Sequence, residues 1–259
     1  MTFTIATWNV NSLRVRLPHV IEWLNSNDID VLAIQETKVP DADFPISAIN
    51  QAGYQVVFSG QKTYNGVAIL SRTPILETTT DILDFADPQR RVLAVTINNL
   101  RVINLYVPNG QTPLSDKYHY KLEWLKKTQT FIADQLKIYE HVIVLGDFNI
   151  APEDRDVHDP ISWEGSVLVS PAERAALQEI TALGLKDCFR LHPQPEKSFS
   201  WWDYRMNAFK RNMGLRIDHI LASHSLSSYC ESCSIDKTPK TWQRSSDHTP
   251  VIAKFLNIT

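Results

Sequence analysis

The chain is poor in cysteine and contains no long apolar run, and both shortages limit what it can be. Its three cysteines, Cys188, Cys230 and Cys233, are too few for a disulfide-rich secreted domain and favour a reducing compartment. No apolar run approaches the length of a membrane-spanning helix, about eighteen residues, and no cationic, apolar segment opens the chain. We therefore expect a soluble, unexported, cytoplasmic protein that does not bind membranes.

The spacing of Cys230 and Cys233 is that of a C-x-x-C motif, which occurs in zinc sites and in redox-active proteins. A zinc site would need a second such pair or a histidine pair, and a thioredoxin-like site would need a strand-to-helix context. The surrounding sequence provides neither. The two cysteines are therefore interpreted as structural thiols.

The chain also lacks a surplus of positive charge, because its formal net charge is −3. No global basic field therefore recruits nucleic acid. The local distribution differs, since the segment RMNAFKRNMGLR, from Arg205 to Arg216, carries four basic residues and no acid. Such a run is typical of a solvated loop, and it is also the electrostatic footprint expected where a polyanion binds.

Three familiar signatures are missing as well. The sequence contains no Gly-rich phosphate loop, no G-x-S-x-G nucleophile elbow and no dinucleotide-binding fingerprint. The classes of protein that depend on those motifs are therefore not indicated.

One segment that is present, VIVLGDFNIAP at residues 142–152, joins an apolar run to polar residues. Its first four residues are rich in β-branched side chains, which predicts a strand covered on both faces. Gly146 ends the run, and Asp147 and Asn149 then share one face because side chains two apart in an extended chain point the same way. A turn is one interpretation, and a functional strand end in a layered fold is the other.

The order of apolar segments predicts the fold. TFTIATWN, RLPHVIEWLNSND and IDVLAIQET predict strand, helix and strand, and RVINLYVPNG, DKYHYKLEWLKKTQTFIADQLKIY and HVIVLGDFN repeat that order. YQVVFSG, GVAILSR and RRVLAVTIN predict a meander between them. SPAERAALQEITALG predicts a helix capped by Ser170 with Pro171 in its first turn, and LRIDHILAS and TPVIAKFL predict closing strands. We expect one α/β domain, residues 1–259, with two mixed sheets packed together and helices outside.

Polar residues lie at the ends of several predicted strands or inside them. They are Asn9 and Asn11 in TWNVN, Glu36 in IQET, Asp147 and Asn149 in GDFN, Asp218 in LRIDHIL, and Asp247 and His248 in SDH. Each alone has an ordinary explanation as a turn, a surface acid or a structural residue. Together they offer the hard oxygen ligands that Mg²⁺ or Mn²⁺ prefers, and such a metal can polarise a phosphoryl oxygen. A separate acid or histidine can deprotonate the attacking water, and a histidine N–H would satisfy the buried Asp218.

Eight segments occur in the order found in one known family. ATWNVNSLR, VLAIQETK, YNGVAILSR, INLYVPNG, VLGDFNIAP, SWWDYR, GLRIDHILAS and SSDHTPVIA resemble the motifs of the exonuclease III-type apurinic/apyrimidinic endonucleases of the endonuclease/exonuclease/phosphatase superfamily. The resemblance spans essentially the whole chain and implies a four-layered α/β sandwich. It implies a DNA repair hydrolase, a monomer, that cuts the phosphodiester 5′ to an abasic site in duplex DNA. The same resemblance implies 3′-to-5′ exonuclease and 3′-phosphodiesterase or phosphatase activity at 3′ ends.

The resemblance also implies a metal site. Glu36 would be the main ligand of Mg²⁺, for which Mn²⁺ can substitute, with Asn9 and Asp247 bound directly or through water. One metal ion or two are both compatible with the motifs. Some relatives carry an acid at the position of Asn11, so no ligand role is assigned to that residue.

The catalytic roles follow in the same way. Asp147 would activate or position the attacking water, Asn149 would orient the water and the phosphate, and Tyr106 would contact the phosphate. His248, paired with Asp218, would hold a phosphoryl oxygen or take part in acid-base chemistry. The motifs leave the general base open between Asp147 and His248.

The implied substrate site lies in the aromatic and basic loop. Trp201 would line a pocket for an abasic sugar, with Leu215 as another wall. Of the two adjacent tryptophans, Trp202 is the one expected to pack in the core. Arg205 and Met206 would enter the duplex beside the extruded nucleotide. The further phosphate contacts implied are Lys38, Lys62, Lys210 and Arg211.

Two other functions remain open at this point. One is a phosphatase or phosphodiesterase of the same fold that acts on a small phosphorylated molecule or a lipid, and the aromatic and basic loop argues against it. The other is a DNA-binding scaffold without catalysis, and the complete set of acids argues against that.

Overall fold

The strands of the described residues build two six-stranded sheets and one two-stranded sheet. The computed structural model describes residues 2–82 and 85–258, so residues 1, 83, 84 and 259 of the expected domain lie outside it. The strands are β1 (Thr2–Asn9), β2 (Val31–Gln35), β3 (Gln55–Ser59), β4 (Val67–Ser71), β5 (Leu76–Thr79), β6 (Val92–Ile97), β7 (Leu100–Tyr106), β8 (His141–Asp147), β9 (Leu185–Asp187), β10 (Trp201–Trp202), β11 (Gly214–Leu215), β12 (Asp218–Ser223), β13 (Cys230–Ile235) and β14 (Val251–Leu256). The helices are α1 (Leu13–Ser26), α2 (Ile46–Gln51), α3 (Asp116–Ile138), α4 (Pro160–Trp163), α5 (Pro171–Thr181) and α6 (His224–Ser227).

The two sheets have similar designs. The first has the strand order β13-β14-β1-β2-β4-β3, and the second has the order β5-β6-β7-β8-β12-β9. Each contains one parallel pair in its interior, β1 with β2 and β7 with β8, while its other pairs are antiparallel. The two strand-helix-strand units of the sequence supply those parallel pairs, with α1 and α3 as the crossovers.

Apolar side chains define four layers. Inner faces of both sheets meet in one core that includes Ile5 and Val31 from the first sheet and Val102 and Ile143 from the second. The outer face of the first sheet packs against α1 and α2, and the outer face of the second packs against α3 and α5. The four-layered α/β sandwich predicted from the sequence is therefore confirmed.

Local sequence signals explain where the elements begin and end. The predicted cap of α5 is present, because the Ser170 hydroxyl accepts from the Glu173 N–H and Glu173 completes a capping box. The segment LRIDHILAS, predicted as one strand, is divided into β11 and β12, so Asp218 begins a strand rather than lying inside one. Among the described residues, no helix has the length and apolarity needed to cross a bilayer.

The cysteines fit the structural interpretation. Cys188, Cys230 and Cys233 are all unpaired and buried, and they pack in the core between the sheets. Cys230 and Cys233 belong to β13, a strand that the sequence pattern did not predict. Its register shifts between Cys230 and Ser232, and that irregularity hides the alternation expected of a strand.

Gly146 allows β7 and β8 to lie side by side at the end where the polar residues gather. Gly146 pairs with Leu105, and its backbone φ of +142° is one that residues with a side chain rarely adopt. A Cβ atom at this position would lie 1.9 Å from the carbonyl oxygen of Leu105. The absence of a side chain therefore sets the spacing of the two strands beside Asp147.

Candidate active site

The polar residues meet at one edge because the carboxyl ends of parallel strands lie together. Asn9 ends β1 beside Gln35 of β2, and Glu36 follows directly. Tyr106 and Asp147 are partners at the ends of β7 and β8. Asp218 begins β12 opposite Asp147. The SDH segment reaches the same edge just before β14, because β14 runs antiparallel to β1.

Asp147 lies at the centre of the site and is 1% exposed. Its Oδ1 accepts from the Asn149 N–H at 2.9 Å, and its Oδ2 accepts from the Asn9 amide at 2.9 Å. The Asn149 amide also donates to Oδ2, at 3.3 Å. Phe148 turns to the opposite side and packs in the helix-covered core, as the alternation predicted. The strand therefore holds one carboxylate rigidly, with donors on both of its oxygens.

Burial determines the protonation of this carboxylate. Desolvation raises the pKa of Asp147 to about 7, although the positive charge of His248 opposes the rise. The neighbouring negative charges of Asp218 and Glu36 contribute to this raised value. Asp147 therefore exchanges its proton near neutral pH, where a general base works best.

His248 and Asp218 form the pair expected from the sequence. The His248 Nδ1 atom lies 2.9 Å from Oδ2 of Asp218, and Nε2 lies 3.6 Å from Oδ2 of Asp147. Burial lowers the pKa of His248, but the charges of Asp218 and Asp147 outweigh burial and raise the pKa to about 10. The imidazole is therefore a cation at neutral pH, held between two carboxylates.

Glu36 is held by three donors. Its Oε1 accepts from the Tyr106 hydroxyl at 2.8 Å and from the Asn9 amide at 2.9 Å, and its Oε2 pairs with Lys38 at 2.8 Å. Burial and the charge of Glu36 raise the pKa of Tyr106 well above its usual value, so its hydroxyl remains a donor. Glu36 itself has a φ of +54°, an uncommon backbone conformation for a residue with a side chain.

Asn9 connects Glu36 with Asp147. Its amide nitrogen donates to both carboxylates, while its Oδ1 accepts from the Asn11 N–H at 3.0 Å. In this arrangement Asn9 presents N–H groups rather than an oxygen to the acids. Asn11 extends the network, because its amide donates to Asp247 at 3.0 Å and its Oδ1 accepts from Lys38 at 2.6 Å.

Asp247 ties the acidic residues to the aromatic loop. Its Oδ2 accepts from the indole N–H of Trp201 at 3.1 Å, and Trp201 also bridges His248 through the backbone. Burial raises the pKa of Asp247, but His248 and the donors from Asn11 and Trp201 outweigh burial and hold that pKa below its usual value. The carboxylate is therefore ionised.

The donor set fits a hard divalent cation. Ligand atoms of Asp147, Asp218 and His248 all lie within 4.8 Å of one another. Those of Asp218 and His248 bond to each other, and the carboxylates of Glu36 and Asp247 also accept hydrogen bonds at the same edge. Carboxylate oxygens clustered near few cations are the ligands that Mg²⁺ and Mn²⁺ select. The acidic cluster can therefore hold a metal ion.

The residues expected to form the sugar pocket divide into an exposed and a buried set. Trp201 is partly exposed, whereas Trp202 is fully buried, as expected. Leu215 pairs with Trp201 across β10 and β11 and is 0% exposed. Any pocket at this position is therefore lined by the Trp201 ring, with Leu215 supporting it from beneath.

The expected DNA contacts lie mostly on exposed loops. Met206 is 69% exposed, at a φ of +59°, and Arg205 pairs with Asp203. Lys62, Lys210 and Arg211 are exposed, and no hydrogen bond among the described residues links their side chains to the acidic cluster. Lys38 differs from these cations, because it lies within the acidic cluster and forms an ion pair with Glu36.

Several residues of the site were missed by the sequence reasoning. The Asn109 amide donates to Oδ1 of Asn149 at 3.3 Å, and Asn109 belongs to the INLYVPNG segment, whose pattern predicts only a turn at that position. Arg91 stacks over the Tyr106 ring, with its guanidinium carbon 4.5 Å from the centroid. Lys121 is buried beneath Asn109 and Asn149. A cleft of about 620 Å³ opens beside Glu36, lined in part by Arg91 and Asn109.

The fold and this site place the chain among known proteins. It belongs to the endonuclease/exonuclease/phosphatase family, whose model matches residues 6–248. An exodeoxyribonuclease III of Haemophilus influenzae is 34% identical, with 96% of this chain and 98% of that protein aligned. NExo of Neisseria, a 3′ phosphatase solved with a product DNA hairpin, is similar with a TM-score of 0.96, 42% identity, and 98% of this chain and 99% of that chain covered.

An AP endonuclease from Archaeoglobus fulgidus is also similar in structure. Its TM-score is 0.94 and its identity is 37%, with 99% of this chain and all of that chain, 100%, covered. These similarities confirm the resemblance drawn from the eight motifs. They also confirm the fold class at the level of whole chains.

Proposed function

We propose that this chain is a metal-dependent DNA repair nuclease that hydrolyses the phosphodiester 5′ to an abasic site in duplex DNA. The observation that carries the proposal is Asp147, a buried carboxylate held by Asn9 and Asn149 within reach of His248, whose backbone pairs with that of Trp201. We infer that the enzyme acts as a single catalytic domain, residues 1–259, and as a cytoplasmic monomer.

Asp147 is the general base in this proposal. A base must be able to accept a proton at working pH, and the pKa of Asp147 is near 7. His248 already carries its proton at that pH, because its pKa is near 10. Its Nε2–H is therefore suited to hold a phosphoryl oxygen and to neutralise charge that develops there.

The remaining residues position the reacting groups. Asn149 holds Asp147 through its main-chain and side-chain N–H groups, and Asp218 fixes the tautomer and orientation of His248. The Tyr106 hydroxyl donates a hydrogen bond to Glu36, and it can donate instead to a phosphate that enters the cleft. Mg²⁺ or Mn²⁺ held by Glu36 and Asp247 would polarise the phosphoryl oxygen and stabilise the leaving alkoxide.

Trp201 supports the abasic substrate. An abasic sugar that leaves the duplex needs an apolar surface beside the scissile phosphate. The indole N–H of Trp201 donates to Asp247, and the backbone of Trp201 bridges that of His248. Met206 and Arg205 project from the same loop, where they can contact the kinked duplex.

Processing of 3′ ends is the second candidate activity. A cleft of about 620 Å³ opens beside Glu36, and a terminal nucleotide or a 3′-phosphate can enter it without extrusion from a stack. The similar Neisseria protein is a 3′ phosphatase. We therefore propose 3′-to-5′ exonuclease and 3′-phosphodiesterase or phosphatase activity beside incision.

Four substrates test the proposal together. Purified protein is incubated with a duplex carrying one abasic analogue, an intact duplex, a duplex ending in a 3′-phosphate, and a small phosphate monoester. With Mg²⁺ we expect incision on the 5′ side of the analogue or processing of the 3′ end, and with EDTA we expect neither. An Asp147→Asn preparation controls for contaminating nucleases. Hydrolysis of the small ester without DNA cleavage would instead establish a phosphatase of the same family.

A further inference from the structure

A buried ammonium group joins the two loops that carry the catalytic residues. Lys121 lies in α3 and its side chain is 0% exposed. Its Nζ donates to the main-chain oxygen of Asn149 at 2.7 Å, to that of Asn109 at 3.1 Å, and to the Glu173 carboxylate at 2.5 Å. All three donors of the ammonium are therefore used.

These two loops follow the central parallel strands of the second sheet. Asn109 comes just after Tyr106 of β7, and Asn149 comes just after Asp147 of β8. The side-chain amides of Asn109 and Asn149 are in contact at 3.3 Å, and Asn149 donates twice to Asp147. A cation that draws both main-chain oxygens to one point therefore also fixes the group that holds Asp147.

The loop after β7 is shaped around this lysine. Gly110 has a φ of +93°, and a Cβ atom there would lie 3.1 Å from Cδ of Lys121. The close approach leaves the aliphatic stem of Lys121 in one position beneath the loop. A longer or branched side chain in place of Lys121 would displace the loop that bears Asn109.

Glu173 does not need the lysine for its own role. Its Oε2 accepts from the N–H and the hydroxyl of Ser170, and its Oε1 also accepts from the Leu168 N–H at 3.0 Å. These bonds cap α5 independently of the ion pair. A buried ion pair is also a weak source of stability, because apolar side chains of similar size often stabilise a fold as well or better.

We propose that Lys121 is a positioning residue for catalysis, which holds the main chains of Asn109 and Asn149 so that Asn149 keeps Asp147 aligned with the phosphate. This role deepens the proposed nuclease function and rests on it. Lys121 touches no substrate in this role. Glu173 supplies the counter-charge that makes burial of the ammonium tolerable.

Three variants separate positioning from stability. Lys121→Met removes the contacts to both carbonyl oxygens, Glu173→Gln removes the counter-charge but keeps those contacts, and the double variant removes both charges together. We expect Lys121→Met to lower kcat by about 10- to 100-fold with a small change in KM, because misplacement of a reacting group by about 1 Å has that effect. The double variant should regain resistance to urea but keep the low kcat, and Glu173→Gln should keep kcat.

Arg101→Met is the matched control. Arg101 is also a buried cation, 2% exposed, and it bonds to Gln135 and to the Glu77 carbonyl at the opposite end of β7. The Arg101→Met variant should have a lower urea midpoint than the parent but the same kcat. If kcat follows the urea midpoint across all four variants, or if the double variant restores kcat, Lys121 is merely structural and the proposal is wrong.

Amide hydrogen exchange decides the same question without a substrate. Residues 107–111 and 148–152 should exchange faster in Lys121→Met and in the double variant, but at the parental rate in Arg101→Met and Glu173→Gln. A parent that cleaves no DNA would refute the proposed function, while altered exchange would still establish the clamp between the loops. Unchanged exchange in Lys121→Met would overturn the clamp, whatever the parent cleaves.

Discussion

Two clusters of buried charge share the short segment from Arg216 to His219, and they differ in how their charges balance. Arg216 and His219 face one cluster, in which Arg216 bonds to Asp156 and Asp187, and Arg190 also bonds to Asp156. His219 is neutral there, because burial and the charge of Arg216 lower its pKa, and it contacts the Ile150 carbonyl. Two arginines thus match two aspartates.

Asp218 faces the other cluster, where acids outnumber cations. Its carboxylate lies with those of Glu36, Asp147 and Asp247, while His248 and Lys38 are the cations bonded to them. A buried charge without a partner is expensive, so a fold retains such a surplus where it serves chemistry. Burial of charge alone therefore does not distinguish the two clusters, whereas the surplus of acids makes the second one the candidate functional site.

The largest expected effect is at the centre of the unbalanced cluster. Asp147→Asn should lower kcat on an abasic duplex by about 10²–10⁴-fold, because it removes the base but keeps the shape. The free energy of unfolding should fall by no more than about 1 kcal/mol, because the change removes a charge that burial disfavours. Steady-state kinetics and urea unfolding measure the two quantities. Cleavage within a few-fold of the parent would show that Asp147 is not the base.

The balanced cluster should respond in the opposite way. Asp156→Asn leaves Arg190 and Arg216 without a full counter-charge, and breaking a buried pair in this way destabilises a protein by about 3–5 kcal/mol. The kcat of the folded protein should stay within a few-fold of the parental value. Urea unfolding beside Asp147→Asn tests this, and a parental unfolding midpoint for Asp156→Asn would contradict the distinction drawn between the clusters.

Glu36→Ala tests whether the surplus of negative charge binds a metal ion. If Glu36 is the main metal ligand, activity should be lost most at low Mg²⁺ and partly recovered as Mg²⁺ rises. The measurement is a Mg²⁺ titration of the cleavage rate for parent and variant. A loss that is the same at every Mg²⁺ concentration would point to a structural role for Glu36.

Trp201→Ala tests how the unbalanced cluster is coupled to substrate choice. The indole anchors the loop to Asp247 and offers the surface for an extruded sugar. We expect the variant to lose preference for abasic over intact duplex more than it loses affinity for DNA. The measurement is the affinity for each duplex in the absence of metal. An equal loss of affinity for both duplexes would show that Trp201 does not recognise the abasic sugar.

The smallest effect is expected outside both clusters, at exposed cations. Replacing Lys210 and Arg211 together by Ala should weaken binding of abasic and intact duplexes about equally. The dependence of log affinity on log salt should flatten by roughly 0.9 for each DNA phosphate that the variant no longer neutralises. An unchanged salt slope would exclude both side chains from the DNA interface.

The sequence predicted the fold, and the gathering of polar strand ends at one edge, for a physical reason. Alternation and helical spacing are local signals. Asn9 and Asp147 end apolar strands and Glu36 follows one, and these strand ends lie at a common edge. Strands such as β13 were missed because a bulge interrupts their alternation.

Other features of the site depend on contacts between distant residues. Lys121 lies on the amphipathic helix α3, and a lysine on such a helix is ordinarily exposed. No neighbouring residue in the sequence indicates that Lys121 is buried under Asn149. The complete burial of Leu215 likewise depends on how loops pack. Local patterns carry no information about such contacts.

Gly146 has a consequence for how this chain tolerates change. Random replacement at this position, under selection for activity, should return glycine alone, because any side chain collides with the Leu105 carbonyl. Gly165 has a φ of +69°, in the left-handed region that asparagine tolerates, and has open space around it, so it should accept asparagine. In the sequence GDFN, we therefore expect Asp147 to resist replacement for chemical reasons and Gly146 to resist it because a neighbouring strand needs the space.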